Sequence, residues 1–334
     1  MTWTEWRTNL TAGDAAAVGE ILSAAWTVDG APALSDQARL GLRPGSRPGH
    51  HLLARAGRDH EAGAVLGYAA LELDPDEPDP AATEPAATDR AGLRGQAEIV
   101  VDPTHRRHGI GTALVEALIT EVDRAANGRP GTLGVWAHGD HDDAARLAAR
   151  FGFTRDRVLW QLWMNTEHLP ETRYPAGVTV RAFEVGRDED AWLRVNAAAF
   201  AHHPEQGRWS RDDLTAREAE PWFDPAGFFL AERDGDLLGF HWTKIHPGGG
   251  DDGADAGEVY VVGVRPDAAG GGLGRALTLT GVRHLAAAGI PAVLLYVDDD
   301  NRAAVRMYET IGFRKKVADV SYSKILARSP VTEL

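Results

Sequence analysis

Two glycine turns, each after an apolar run and a proline, are the stretches of this chain whose residue types and spacing could do chemistry. "RRHGIGTAL" spans Arg106 to Leu114 and follows Ile99, Val100, Val101 and Pro103. "GGGLGRAL" spans Gly270 to Leu277 and follows Val262, Gly263, Val264 and Pro266. A strand that ends in such a turn and opens a helix aims several backbone N–H groups at one point, where the helix dipole adds about half a positive charge. Glycine lets a phosphate approach and tolerates φ above zero. The arrangement suits a pyrophosphate, although an isolated G-x-G serves equally well as a packing turn. A P-loop needs Gly-Lys-Ser/Thr, which neither turn has. A dinucleotide fingerprint needs a third glycine, which Gly272-x-Gly274 lacks.

Composition narrows the classes. The 334 residues leave room for about two domains with real cores. A hydrophobic fraction of 43% and a charged fraction of 25% are those of a soluble globular protein. No apolar run approaches the roughly 20 residues that span a bilayer, so no membrane partner is expected. The opening "MTWTEWRTNLTAGD" lacks a signal-peptide pattern, and a cytoplasmic monomer is the simplest expectation. With no cysteine, disulfides, thiolate metal sites and a cysteine nucleophile are excluded. The net charge of -14 argues against nucleic acid as a partner. It suits a cationic small-molecule amine, or simply a well-solvated surface. His202 and His203 are adjacent, point apart and have no obvious third ligand, so no metal is expected.

The elements that must position these turns occur twice. Gly272 and Gly274 each follow Gly109 and Gly111 by 163 positions, and Phe313 of "IGF" follows Phe153 of "FGF" by 160. A repeat of this length is a duplicated domain, not a solenoid unit. Each half reads as helix (Asp14–Ala25; Asp188–Phe200), two strands, then the strand–turn–helix unit. A further strand, a short helix (Asp142–Arg150; Asn301–Thr310) and a last strand complete it. The order predicts a mixed α/β fold, a largely antiparallel sheet with flanking helices. The predicted domains are residues 1–165 and 178–334, joined by a linker at 166–177. "DPDEPDPAATEPAATDRAG" and "HPGGGDDGADAG" read as loops, and Trp160, Trp163, Trp192, Trp209 and Trp222 as packing residues.

"RRHGIG" resembles the Gln/Arg-x-x-Gly-x-Gly/Ala turn of the GCN5-related N-acetyltransferases, through Arg106, Gly109 and Gly111. "AGGGLG" keeps Gly272 and Gly274 but has Ala269 where the family carries Gln or Arg. "NRAAVRMYETIGF" matches a second hallmark of that family through Asn301, Ala304, Tyr308, Gly312 and Phe313. In the first half the aligned positions are His141 and Ala148, so the first copy lacks the tyrosine. The resemblance implies two tandem acetyltransferase domains, the second active and the first catalytically degenerate but able to bind acetyl-CoA.

It also implies a set of site residues. In the second half acetyl-CoA would lie on Val262, Gly263 and Val264, on Ala269, Gly270, Gly271, Gly272, Leu273, Gly274 and Arg275, and on Asn301, Arg302, Ala303, Ala304, Val305 and Arg306. In the first half the set is Ile99, Val100, Val101, Arg107, His108, Gly109, Ile110, Gly111 and Thr112. Glu258, just before the second turn, is suited to take a proton from an attacking amine, and Tyr308 to give one to the leaving thiolate. A backbone N–H near Val262 to Val264 would hold the oxyanion. Longer segments, "RVNAAAFAHHPEQGRW" and "GFHWTKIHP" among them, resemble tandem members of the family. They imply acceptor contacts from Asp36, Glu205, Lys244, Glu258 and Tyr296 to an amine on a hydroxyl-rich sugar. Another small amine, an aminoglycoside, a protein N-terminus or a non-catalytic acetyl-CoA-binding role would share the same cofactor residues.

Overall fold

The computed structural model describes residues 2–43, 48–57, 63–75, 92–201, 206–250 and 253–326. Its elements begin β1 (Thr2–Arg7), α1 (Ala12–Asp29), α2 (Asp36–Leu40), β2 (His50–Ala56), β3 (Val65–Pro75), β4 (Leu93–Val101), α3 (Ile110–Ala126), β5 (Gly131–Ala137), α4 (Asp142–Arg150) and β6 (Thr154–Asn165). They continue β7 (Thr179–Ala182), α5 (Glu189–Ala199), α6 (Arg211–Glu218), β8 (Phe228–Arg233), β9 (Asp236–His246), β10 (Ala256–Val264), α7 (Leu273–Ala287), β11 (Ala292–Asp298), α8 (Arg302–Ile311) and β12 (Arg314–Leu326). The first helix starts before Asp14 because Thr11 is its cap: Thr11 Oγ1 accepts from the Asp14 N–H at 3.1 Å and donates to its carboxylate at 2.8 Å.

The chain divides into two units, but not at the expected places. Unit 1 holds Met1–Leu159 and the stretch from Val317, and unit 2 holds Trp160–Lys316. The last strand therefore leaves the half predicted as 178–334. β12 runs antiparallel to β5, from Val320 opposite Ala137 to Leu326 opposite Gly131. Val320, Tyr322 and Leu326 pack in one core with Leu114, Leu118 and Leu133, so side-chain burial holds the strand there. The predicted linker at 166–177 belongs to unit 2. The Thr166 N–H donates to the Pro291 carbonyl at 3.1 Å, Arg283 Nη2 donates to the Pro170 carbonyl at 2.6 Å, and the Tyr174 hydroxyl meets that of Thr280.

Within unit 1 the strands lie in the order β1-β2-β3-β4-β5-β12. Only β4 with β5 is parallel among those pairs. The crossover helix α3 supplies Ile110, Leu114, Val115, Leu118, Val122 and Ala126 to the core at helical spacing. On the other face Val18, Ile21 and Ala25 of α1 pack with Leu53, Tyr68 and Val100.

Unit 2 repeats the plan with β11-β10-β9-β8-β7, and here β10 with β11 is the parallel pair. One face is closed by α7 and α8, whose Leu279, Val282, Leu285, Val305 and Tyr308 meet Val293, Leu295 and Val297 of β11. The other is closed by aromatics: Trp192, Phe228, Phe240 and Trp242 are fully buried, with Trp209 and Trp222 packed on them. The tryptophan set thus packs as the sequence predicts. Unforeseen strands β1 and β7 are edge strands whose Thr, Glu and Arg content hides them.

Because Val320 is fully buried in the core of unit 1, Val320→Ala is expected to cost roughly 2 kcal/mol. Hydrogen exchange should show the loss in β5 and α3 while α7 and β10 stay protected. Equal loss in both units would contradict the assignment of this strand to unit 1.

Candidate functional site

Chemistry-bearing residues of unit 2 are placed by two irregularities of β10. Its parallel pairing with β11 covers only Ala256, Gly257 and Glu258, opposite Ala292, Val293 and Leu294. β10 then runs on to Val264 beside β9 alone, which opens a gap in the sheet. The second irregularity is a bulge at Tyr260, where the register jumps from Val259↔Thr243 to Val261↔Trp242. A strand alternates faces, and one extra residue reverses the alternation. Before the bulge the odd positions face α7: a Cβ at Gly257 would strike Leu285. After it they face the aromatic cluster: a Cβ at Gly263 would strike Phe240 and Ala199 of α5. Glu258, Tyr260 and Val261 therefore share the aromatic face, while Val262 packs toward α7.

On that face Lys244 lies directly opposite Glu258 in the ladder. Lys244 Nζ stands 4.7 Å from the centroid of Trp222 and 5.4 Å from that of Tyr260, with its charge over both rings. Glu258 is buried, and its Oε2 lies 2.6 Å from His246 Nε2. Tyr296, 38% exposed, receives a hydrogen bond on its hydroxyl from Gln161 Nε2 at 2.8 Å. Tyr308 sits on the opposite face, packed edge-on against Phe313 at 5.7 Å. Burial holds the Tyr308 phenol well above its ordinary pKa, so it keeps its proton at neutral pH.

The glycine turn of this unit is built from three successive left-handed residues, with φ of 90° at Gly270, 59° at Gly271 and 86° at Gly272. A Cβ at Gly270 or Gly272 would meet nothing within 4 Å, so the space in front of α7 is open. No side chain caps the first turn of α7, leaving its N–H groups for a ligand. Leu273 is buried, so its side chain belongs to the core and only its N–H faces the turn. Val305 is likewise a core residue, although Arg302, Ala303 and Arg306 around it are exposed. Asn301 is the cap of α8, its side chain accepting from the Ala304 N–H at 3.2 Å, so it lies ahead of the helix and not on its face.

Unit 1 contains a cavity of about 630 Å³ at the corresponding turn. Ile99, Val100, Val101, Arg107, Gly109, Gly111 and Thr112 line it, whereas Ile110 is turned into the core. His108 is exposed, with Nδ1 2.8 Å from the Arg106 carbonyl. Arg106 forms a two-pronged pair with Asp29, both bonds at 2.7 Å. Trp136, His138 and Tyr322 also line the cavity, and Tyr322 comes from the last strand. No local feature of the chain signals that contribution. His138 bridges Glu98 at 3.1 Å and Asp319 at 3.2 Å. The Ser35 N–H and hydroxyl both donate to Glu98 at 2.5 Å. Burial alone would lower the His138 pKa, but the hydrogen bonds and charges of Asp319 and Glu98 prevail and push it up to about 9.

The structure thus brings Lys244 and Glu258 together on one face of unit 2, with Tyr296 on the neighbouring strand β11 bonded to Gln161. Asp36 opens α2 in unit 1, and its side chain lies outside the described residues, as do Glu205, His202 and His203. His246 was missed: a histidine two positions beyond Lys244 reaches Glu258 only because β9 and β10 are adjacent. No described helix is long and apolar enough to cross a membrane.

Known proteins share this architecture and sequence. The pattern of the acetyltransferase (GNAT) family matches residues 16–153 and 195–313. The mycothiol acetyltransferase of a Parafrankia species is 51% identical over 97% of this chain and 99% of its own length. That of Frankia alni is 53% identical over 95% of this chain and 93% of its own. Among solved structures, a GCN5-related N-acetyltransferase from Sphaerobacter thermophilus has a TM-score of 0.70 at 23% identity, over 96% of this chain and 95% of its own. A tandem GNAT protein from the clavulanic acid biosynthesis pathway also has 0.70, at 19% identity, over 98% and 100%. These two bear on the fold.

Gly272→Ala is expected to cost roughly 1–2 kcal/mol through its left-handed backbone. It should also raise the Kd for a pyrophosphate-bearing ligand such as CoA in calorimetric titration, and an unchanged Kd would count against a role for this turn. The raised His138 pKa makes a second prediction. Its contribution is complete below pH 6.5, where both folded and unfolded imidazoles are charged, and is lost as pH rises through 9. The amount is about 3 kcal/mol. Urea unfolding of unit 1 between pH 6 and 10 should show that decline, flattened in His138→Gln.

Proposed function

The chain belongs to the acetyltransferase (GNAT) family, and we propose that it transfers acetyl from acetyl-CoA to the cysteinyl α-amine of cysteinyl-glucosaminyl-inositol, giving mycothiol and CoA, in the cytoplasm and as a monomer. That it is an acetyltransferase follows from its family and from identity near one half to mycothiol acetyltransferases along almost its whole length. The named acceptor is supported by the same likeness. A single structural observation supports the site: Lys244 and Glu258 lie directly opposite each other on β9 and β10, at the point where the pairing of β10 with β11 ends.

Acetyl-CoA supplies the activated acyl group. The residues fit it: open space before Gly270 and Gly272, uncapped N–H groups on α7, and a strand edge left free beyond Glu258. In unit 2 the turn from Ala269 to Arg275 holds the pyrophosphate, and Val262 to Val264 offer backbone groups to the rest of the donor. The cavity of unit 1 suits a second molecule, held without chemistry because Ala148 stands where unit 2 has Tyr308.

Glu258 acts as base. An α-amine titrates near 8, so a useful neutral fraction exists at pH 7 and the carboxylate has only to take the proton released on attack. Lys244 and Tyr296 orient the acceptor's hydroxyl-rich part. A backbone N–H between Val262 and Val264 steadies the oxyanion. Tyr308, kept protonated by burial, protonates the departing sulfur. Attack is direct, and no covalent enzyme intermediate is involved.

Mass spectrometry of acetyl-CoA with cysteinyl-glucosaminyl-inositol should reveal a product heavier by one acetyl group, on nitrogen. Glu258→Gln and Tyr308→Phe should each lower kcat roughly a hundredfold or more. Product on another amine alone would remove the named acceptor, and wild-type turnover in both variants would remove the assigned acid and base.

A further inference from the structure

Acetyl transfer to an ammonium group releases one proton per turnover. The nitrogen forms a bond to the acyl carbon and sheds two protons in passing from ammonium to amide. The C–S bond breaks, its electron pair stays on sulfur, and Tyr308 gives sulfur a proton that one of the two shed by nitrogen then restores. The remaining proton must reach water, or the base stays protonated and the next acceptor is not activated.

Glu258 is poorly placed to release it unaided. Its side chain is only 10% exposed, and Oε2 is held by His246 Nε2 at 2.6 Å. The His246 side chain is 26% exposed and stands at the last residue of β9, so one ring edge meets the carboxylate while the residue reaches the surface. Imidazole has two ring nitrogens, so a ring that meets the carboxylate through one can hand a proton on through the other. Lys244 and Glu258 are the charged groups that share its face of the sheet. In the following loop Asp255 is engaged with the Gly248 N–H at 2.9 Å.

We propose that His246 is the proton exit of the active site, carrying the proton collected by Glu258 to solvent and setting the orientation of that carboxylate. The inference rests on the reading of Glu258 as base. It makes His246 a positioning and relay residue that touches neither donor nor acceptor.

The test compares the full-length protein with His246→Ala, His246→Gln and Glu258→Gln, measuring kcat, KM for acetyl-CoA and melting temperature, with and without added imidazole. Gln keeps an N–H toward Glu258 but cannot pass a proton. The expected result is a fall in kcat of about tenfold or more in both His246 variants. KM should stay within about twofold, and imidazole should restore His246→Ala in a saturable way but not Glu258→Gln. Wild-type kcat in His246→Gln, or no restoration of a folded His246→Ala, overturns the exit while leaving Glu258 as base. Wild-type kcat in Glu258→Gln overturns the base itself. If His246→Ala melts early, His246→Gln decides alone.

Discussion

Parallel pairing that stops after three residues is the constraint on which the site of unit 2 depends. A fully paired β10 and β11 would have no room between them and no backbone groups to offer. Since β10 continues to Val264 on the strength of β9 alone, the parted edge stays ordered without a partner on its other side. A ligand carrying its own amides is the complement of such an edge. The bulge at Tyr260 adds the second half of the design. By reversing the alternation it keeps Glu258 on the face with Lys244 and the aromatic cluster, while Val262 downstream turns to α7. The two faces of β10 are thereby given different surroundings, Lys244 and the aromatic cluster on one and the α7–α8 core that holds Tyr308 on the other.

Unit 1 shows the same scaffold without that device. β3 and β4 keep one unbroken register from Gly67↔Val101 to Pro75↔Leu93. Glu98 consequently faces α1 and α2, where Ser35 and His138 occupy its carboxylate. Burial would raise the Glu98 pKa, but the His138 and Ser35 hydrogen bonds hold it below the ordinary value, so the carboxylate stays charged. The phenol has also changed place. Positions 148 and 322 hold Ala and Tyr in unit 1, where the positions 160 residues away, 308 and 162, hold Tyr and Leu in unit 2. Ring volume is conserved in each core, but in unit 1 it comes from a strand and not from the helix that bears the family tyrosine.

Much of this was legible because it is local. Apolar periodicity and capping residues announce α5 and α8 within a residue or two, and the repeat announces two copies. The turns follow from the strand–glycine–helix pattern, and Tyr308 from the resemblance of "NRAAVRMYETIGF" to the family's second hallmark. What the sequence hid is what depends on distant pairing. β12 reads identically whichever sheet it joins, since only its burial against Leu114 and Leu133 decides. The bulge leaves no residue signature in "GEVYVVGV". His246 is invisible as a partner of Glu258 until the register of β9 against β10 is known, and Glu98, His138 and Asp319 lie too far apart along the chain to be read as one cluster.

The placement of β12 has a consequence for how the molecule comes into being. Domains emerging from a ribosome usually fold in order, the first before the second. Here the first unit to be synthesised is the last to be finished: β5 must wait, one edge unpaired, until residues 320–326 have been made. Throughout the synthesis of unit 2 the nascent chain carries an open sheet edge, the feature most prone to wrong pairing. A tandem repeat that might have been two independent modules is in this sense a single object in time, closed only by its final strand.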